Sequence, residues 1–296
     1  MKTLNAGFIG CGIMGRPMAL NLIKGGYKLW VYARRPEALL PLTAAGATAC
    51  VTPGEVAAHA DVIFTVVSDT HDVEAVIFGE HGLVSGAHRG SAIVDMSTIS
   101  PAATEDFARR LEKQGVDMLD APVSGGEKGA ISATLSIMVG GKTEVFERIQ
   151  PLFACMGKNI VHIGGNGAGQ VAKACNQIVV SVALEAVAEA LTFARKHGVD
   201  PAKVREALLG GSANSTILEV HGKRMLDHDF EPGFKLGLHQ KDMRIVMEAA
   251  HRTGVALPAA ALVTQHFNSL IGTGDNELDS SALVKVLERM SGIGQD

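Results

Sequence analysis

Lys173 lies in the run Val171-Ala172-Lys173-Ala174-Cys175, and a lysine in such apolar company is a candidate for acid–base chemistry. Apolar surroundings penalise the ammonium form, which moves the pKa toward the range where one group can both give and take a proton. The plainer alternative is a lysine whose head reaches solvent along its aliphatic stem. Asn176 and Gln177 follow three and four residues later, so either amide can share the lysine's helix face. A second set runs from Asp120 to Ala130 and contains Ser124-Gly125-Gly126. One hydroxyl beside two peptide N–H groups without side chains suits a carboxylate, although an ordinary flexible loop has the same composition.

A third set is Gly10-Cys11-Gly12-Ile13-Met14-Gly15, a G-x-G-x-x-G turn behind the apolar run Ala6 to Gly10 and ahead of a helical pattern. In that setting the first glycine permits a tight turn, the second lets backbone approach a pyrophosphate, and the third lets helix and strand pack closely. A glycine-rich connection without a ligand is the alternative. The next strand end reads Tyr32-Ala33-Arg34-Arg35 and carries no acid for an adenosine ribose. That favours NADP over NAD, with Arg34 as partner of a 2′-phosphate. If both arginines are simply solvated, NAD also serves.

These groups need elements to hold them. Apolar runs near Ala6 to Gly10, Lys28 to Ala33, Val62 to Val67, Ala92 to Met96 and Val116 to Asp120 alternate with helical patterns, which predicts a Rossmann-type doubly wound parallel sheet. Pro101 to Gln114 is one such helix, with Ala103, Phe107, Ala108 and Leu111 on one stripe. Two further strands, Leu135 to Val139 and Ile160 to Ile163, flank a helix from Thr143 to Cys155. After Gly164-Gly165-Asn166-Gly167 the pattern becomes helical throughout. Ala168 to His197 reads as one long apolar helix, followed by segments at Pro201 to Leu209, Thr216 to Leu226, Leu238 to Arg252, Pro258 to Ile271 and from Asp279. The expectation is an α/β dinucleotide-binding domain over residues 1–165 and an all-helical substrate and oligomerisation domain over 166–296.

With 296 residues and 47% hydrophobic composition the chain can bury a large core. Its 27 basic and 31 acidic residues show no basic stripe, so a nucleic-acid partner is not expected. The start has too short an apolar run for a signal peptide, no membrane-spanning stretch is expected, and Cys11, Cys50, Cys155 and Cys175 form no C-x-x-C pair. A reducing cytoplasm is the simplest compartment. The 11 histidines lack tight ligand spacing, so no metal is expected.

Taken together, Gly7 to Gly15, Asp120 to Ala130, Gly167 to Asn176 and Lys241-Asp242 resemble, in order and over essentially the whole chain, the β-hydroxyacid dehydrogenase family. The resemblance implies NAD(P)-dependent reduction of a small carboxylated semialdehyde to a hydroxyacid, with Lys173 exchanging the oxygen's proton. Ser124, Gly125 and Gly126 would hold the substrate carboxylate, with Asn176 or Gln177 orienting it. Val67, Ser68 and Thr98 would join Gly10, Cys11, Gly12, Ile13, Met14, Gly15 and Arg34 around the cofactor. Lys241 would close over the site with Phe234 beside it. Read without the family, Lys241-Asp242 is a surface pair. His239 to Asp242, the Gly-Gly-Asn-Gly turn and Leu278 to Leu283 resemble the branch acting on tartronate semialdehyde. Two departures stand out: many relatives carry Asn at Gln177, and the reductases carry His at Ser280. Oxidation of 3-hydroxyisobutyrate, or reduction of succinic semialdehyde or glyoxylate, is the other enzymatic expectation, and a dinucleotide-binding scaffold or redox sensor is the non-enzymatic one. The long apolar helix and the resemblance imply a homodimer or homotetramer.

Overall fold

The computed structural model describes residues 4–294, which divide between Lys173 and Ala174 into two compact units. The first holds nine strands: β1 Ala6–Ile9, β2 Leu29–Tyr32, β3 Thr48–Ala49, β4 Val62–Thr65, β5 Ala92–Asp95, β6 Asp117–Asp120, β7 Val123–Ser124, β8 Leu135–Gly140 and β9 Gly157–Gly164. Their order is β3-β2-β1-β4-β5-β6-β8-β7, with β9 paired to β8. From β3 to β6 every pairing is parallel, and the reversal between β2 and β4 around β1 makes the switch point where α/β sheets bind ligands. β8 runs antiparallel to β6 and β7.

Alternation along the strands fills two cores. Phe8, Phe64 and Val94 pack on one face of the sheet, while Ile9, Ile63 and Ile93 pack on the other. Burial on both faces explains why these strands read as continuous apolar runs rather than as alternating ones. Helix starts follow local chemistry. The Ser100 hydroxyl accepts from the Ala103 N–H ahead of Pro101–Glu112, and Thr52 and Asp200 cap Pro53–His59 and Pro201–Leu209 in the same way.

The helix Ala168–Lys196 begins in the first unit and continues into the second. By length and composition it reaches the range of a membrane span, contrary to the expectation that no such stretch exists, but half of its most apolar window is buried inside the protein. In the second unit Leu236–Thr253 packs on Pro258–Gly272 around Met243, Val263 and Phe267. Gly254, at φ +72°, ends the first of these helices, and Pro258 opens the second. The segment expected as one helix from Thr216 to Leu226 starts instead as a π turn, Ile217–His221, before Gly222–Asp227. Arg205 explains the widening, because its guanidinium donates to the Leu218 and Glu219 carbonyls at 3.0 and 2.6 Å.

Candidate active site

Gly10 follows β1 with φ +91°, and a Cβ there would lie 2.0 Å from the Val66 carbonyl oxygen beyond β4. A Cβ on Gly15 would lie 2.0 Å from the Gly10 carbonyl oxygen, whereas one on Gly12 would meet nothing within 4 Å. The outer glycines thus satisfy the fold and the middle one leaves open backbone. Helix Gly15–Lys24 starts there with no side-chain cap and no acid in its first turn, so no side chain offsets the positive end of its dipole at the turn. That arrangement fits a pyrophosphate. Cys11 is buried, its Sγ 3.8 Å from the Tyr32 carbonyl oxygen, and burial pushes its thiol up to about 12, so only its backbone faces the turn region. Ile13 is exposed, and Met14 packs on the sheet core. Arg34 is 80% exposed and 3.6 Å from Asp72, an arrangement worth little as an ion pair.

Buried polar groups join the loops after β4 and β5. The Thr65 hydroxyl and the Ser97 N–H donate to Asp95 Oδ1 at 2.8 and 3.2 Å, and the Val67 N–H donates to Ser97 Oγ at 2.9 Å. Val67 is thereby tied through Ser97 to the Asp95 carboxyl, Thr98 follows Ser97 in the chain, and Ser68 is exposed beside Val67. Asp95 is fully buried, and desolvation, aided slightly by Asp120, pushes its carboxyl up to about 6 against the pull of its hydrogen bonds. A folded pKa above the unfolded value near 3.9 adds stability below the unfolded pKa, and that contribution is lost as pH rises through about 6. Asp95→Asn should therefore gain on wild type by roughly 1–3 kcal/mol between about pH 4 and about pH 8. Paired thermal melts across that range check this, and a constant difference would refute it.

Asp120 ends β6 beside Asp95 and receives the start of the long helix. The Gly167 and Gln170 N–H groups donate to its two oxygens at 2.8 and 3.0 Å. Burial nevertheless raises its pKa. A Cβ on Gly169 would lie 2.4 Å from the Met138 carbonyl oxygen and 2.6 Å from that of Asp120, so glycine alone lets the helix come this close. Lys173 stands on the following turn, only 7% exposed, and the solvent-reaching alternative does not hold. Ser124 pairs with Ser136 across β7 and β8, while Gly125 and Gly126 have φ +131° and +61°.

Within the second unit Asn176 donates to Gln177 Oε1 at 2.7 Å, Gln177 Nε2 donates to Asp242 Oδ2 at 2.8 Å, and Lys241 Nζ lies 2.7 Å from Asp242 Oδ1. With side chains 14% and 4% exposed, Lys241 and Asp242 are not the surface pair that composition alone suggests. Phe234 is held by its N–H, which donates to buried Asp279 at 3.0 Å, and its ring lies against His239. Burial opposes charge on Asp279, but hydrogen bonds from His221, Phe234 and Ser281 outweigh it and lower its pKa. Among the described residues no group of three or more His, Cys, Asp or Glu could hold a metal.

No individual role was expected of Asp95, Ser97 or Gln170 from the sequence. The available signal was an aspartate ending each of two apolar strands, at Asp95 and Asp120.

Residues 5–164 match the family model described as the NAD binding domain of 6-phosphogluconate dehydrogenase. Residues 167–287 match the one described as NAD-binding of NADP-dependent 3-hydroxyisobutyrate dehydrogenase. The chain is 51% identical over 290 residues to the 2-hydroxy-3-oxopropionate reductase of Escherichia coli strain K12, covering 97% of this chain and 98% of that one. It is 39% identical to the 2-(hydroxymethyl)glutarate dehydrogenase of Eubacterium barkeri over 99% and 97% of the two chains. The solved structure of Mycobacterium tuberculosis 3-hydroxyisobutyrate dehydrogenase with L-serine superposes with a TM-score of 0.89 at 31% identity, covering 96% and 99%. A glycine turn shaped for a dinucleotide, a buried lysine on a helix seated on Asp120, and these matches along the whole length lead to one conclusion: the chain belongs to the β-hydroxyacid dehydrogenase family of NAD(P)-dependent oxidoreductases.

Proposed function

We propose that this enzyme reduces tartronate semialdehyde to glycerate, preferring NADPH and accepting NADH, with Lys173 as general acid. The observation that carries the reading is the buried lysine on a helix anchored to the same unit as the dinucleotide turn, in a chain 51% identical to a 2-hydroxy-3-oxopropionate reductase. Bound in the turn, the dinucleotide supplies a hydride to the aldehyde carbon. Lys173 gives its proton to the carbonyl oxygen as that oxygen gains charge, and takes it back in the oxidative direction. Gly10, Gly12 and Gly15 shape the pyrophosphate turn, with backbone of Cys11, Ile13 and Met14 completing it. Val67, Ser68 and Thr98 line the nicotinamide side, and Arg34 meets a 2′-phosphate.

Ser124, Gly125 and Gly126 take the substrate carboxylate, and Asn176 and Gln177 orient the substrate. Phe234 and Lys241 close the site. The division of labour places the dinucleotide on residues 1–165 and substrate closure and assembly on 166–296. Exposed Val179 and Phe193 on the long helix support a homodimer or homotetramer, and the four free cysteines agree with a reducing cytoplasm.

A second reading, oxidation of a 3-hydroxyacid such as 3-hydroxyisobutyrate or of serine, is favoured by the 0.89 superposition on the dehydrogenase with L-serine. Initial rates with NADPH and NADH against tartronate, methylmalonate and succinic semialdehydes separate the two. Tartronate semialdehyde with NADPH should have the highest kcat/KM, about tenfold or more above the rest. A higher value for methylmalonate semialdehyde would move the enzyme to the second reading, and equal use of both dinucleotides would remove the role of Arg34.

A further inference from the structure

Gln170 spans Thr98. Its Nε2 donates to the Ser97 carbonyl at 2.8 Å and its Oε1 accepts from the Ile99 N–H at 3.1 Å, so one planar amide brackets the peptide groups on either side of that residue. Gln170 is 1% exposed, and its own N–H donates to Asp120 at 3.0 Å. Its backbone is therefore fixed to the end of β6 and its side chain to the loop after β5. Lys173 comes three residues later on the same helix, which puts it on the same face.

We propose that Gln170 is a positioning residue of the reduction, a clamp that sets the loop carrying Thr98 against the helix turn that carries Lys173. The inference rests on the roles given above to Thr98 and Lys173. The clamp needs one donor and one acceptor at a fixed spacing, which glutamine has and few side chains share. An apolar replacement leaves a buried carbonyl and a buried N–H without partners, and the loop then shifts to satisfy them. A carboxylate can still accept from Ile99 but faces the Ser97 carbonyl with a second acceptor. A protonated carboxyl restores one donor and one acceptor. Geometry of this kind acts on the chemical step, because a misplacement of about 1 Å between reacting groups costs up to about a hundredfold in rate.

Gln170→Glu and Gln170→Met, measured beside wild type and Lys173→Ala at about pH 8 and about pH 6, test the clamp. The charged groups linked to this position are Asp95, which accepts from the Ser97 N–H, Asp120, which accepts from the backbone N–H of Gln170, and Lys173 three residues on; the two aspartates favour the protonated form of the new carboxyl. Relative to wild type at each pH, Gln170→Met should lose about tenfold or more in kcat at both values, with KM for NADPH within about threefold. Gln170→Glu should show the same loss at about pH 8 and return to within about threefold of wild type at about pH 6. Near-UV circular dichroism on the same Gln170→Glu sample, taken from the lower to the higher pH and back, separates positioning from folding. Reversible loss of kcat with the signal retained supports the proposal, and loss of both together overturns it. Wild-type kcat in either variant at the higher pH, or a loss in Gln170→Glu that ignores pH, also overturns it. If Lys173→Ala keeps full activity, the acid–base reading falls with its premise. If that variant is inactive while the Gln170 variants match wild type, the clamp alone fails.

Discussion

Lys173→Ala should lower kcat about a hundredfold or more while the protein still folds and binds NADPH. The size follows from what is removed, since a positioned proton donor contributes about 10²–10⁴ to rate and nothing else on that helix turn replaces an ammonium. Alanine has the highest helix propensity, so the helix Ala168–Lys196 keeps its backbone, and its start remains seated on Asp120 through Gly167 and Gln170. On the proposed reading the dinucleotide is held by the glycine turn and the loops after β4 and β5, so its binding should survive the substitution. A melting curve, NADPH binding by fluorescence and kcat together make the measurement. The burial of Lys173 adds a sharper check: truncation leaves a void shaped for a short amine, and a small primary amine in the assay should restore part of the rate. A variant within about threefold of wild type would remove Lys173 from the mechanism.

Gly10→Ala and Gly12→Ala should fail in different ways. At Gly10 the backbone has φ +91°, which costs an L-residue about 1–2 kcal/mol, and the new Cβ would lie 2.0 Å from the Val66 carbonyl oxygen. That oxygen is main chain in the loop leaving β4, and the Val66 N–H donates to the Ile9 carbonyl at 2.9 Å, so neither side can yield without disturbing β1 and β4. Melting temperature should fall by roughly 10 °C, and NADPH binding with it. At Gly12 the backbone is not in the left-handed region and a Cβ meets nothing within 4 Å, so melting should stay within about 2 °C of wild type. The same Cβ would occupy the space where a pyrophosphate meets open backbone, so KM for NADPH and NADH should rise together, by about tenfold or more. If Gly12→Ala binds both dinucleotides normally, the pyrophosphate does not lie on that backbone. If Gly10→Ala melts like wild type, the close approach to Val66 is wrong.

Much of this molecule was written locally. The G-x-G-x-x-G turn is legible because absence of a Cβ is a property of each residue, and Gly10 and Gly15 stand where any side chain would strike main chain. The long helix is legible because an apolar pattern of helical period runs from Ala168 until Gly198, which takes φ +70°. The strands of the parallel sheet read as apolar runs because both of their faces are buried. β3 and β7, at two residues each, are too short to show a period, and the antiparallel course of β8 depends on its partner rather than on its own residues.

The tertiary structure alone decided how the site is held. Gln170 finds its partners 71 and 73 positions away, Asp120 meets the helix start 47 positions on, and Asp95 lies beside Asp120 only because β5 and β6 pair in that register. Lys241 and Asp242 look like a surface pair until Gln177, 65 positions before Asp242, is brought to them. A turn or a helix depends on neighbours within a few residues, which the order of residues displays. A buried hydrogen bond depends on which distant backbone group arrives opposite, and only the packed sheet and helices specify that.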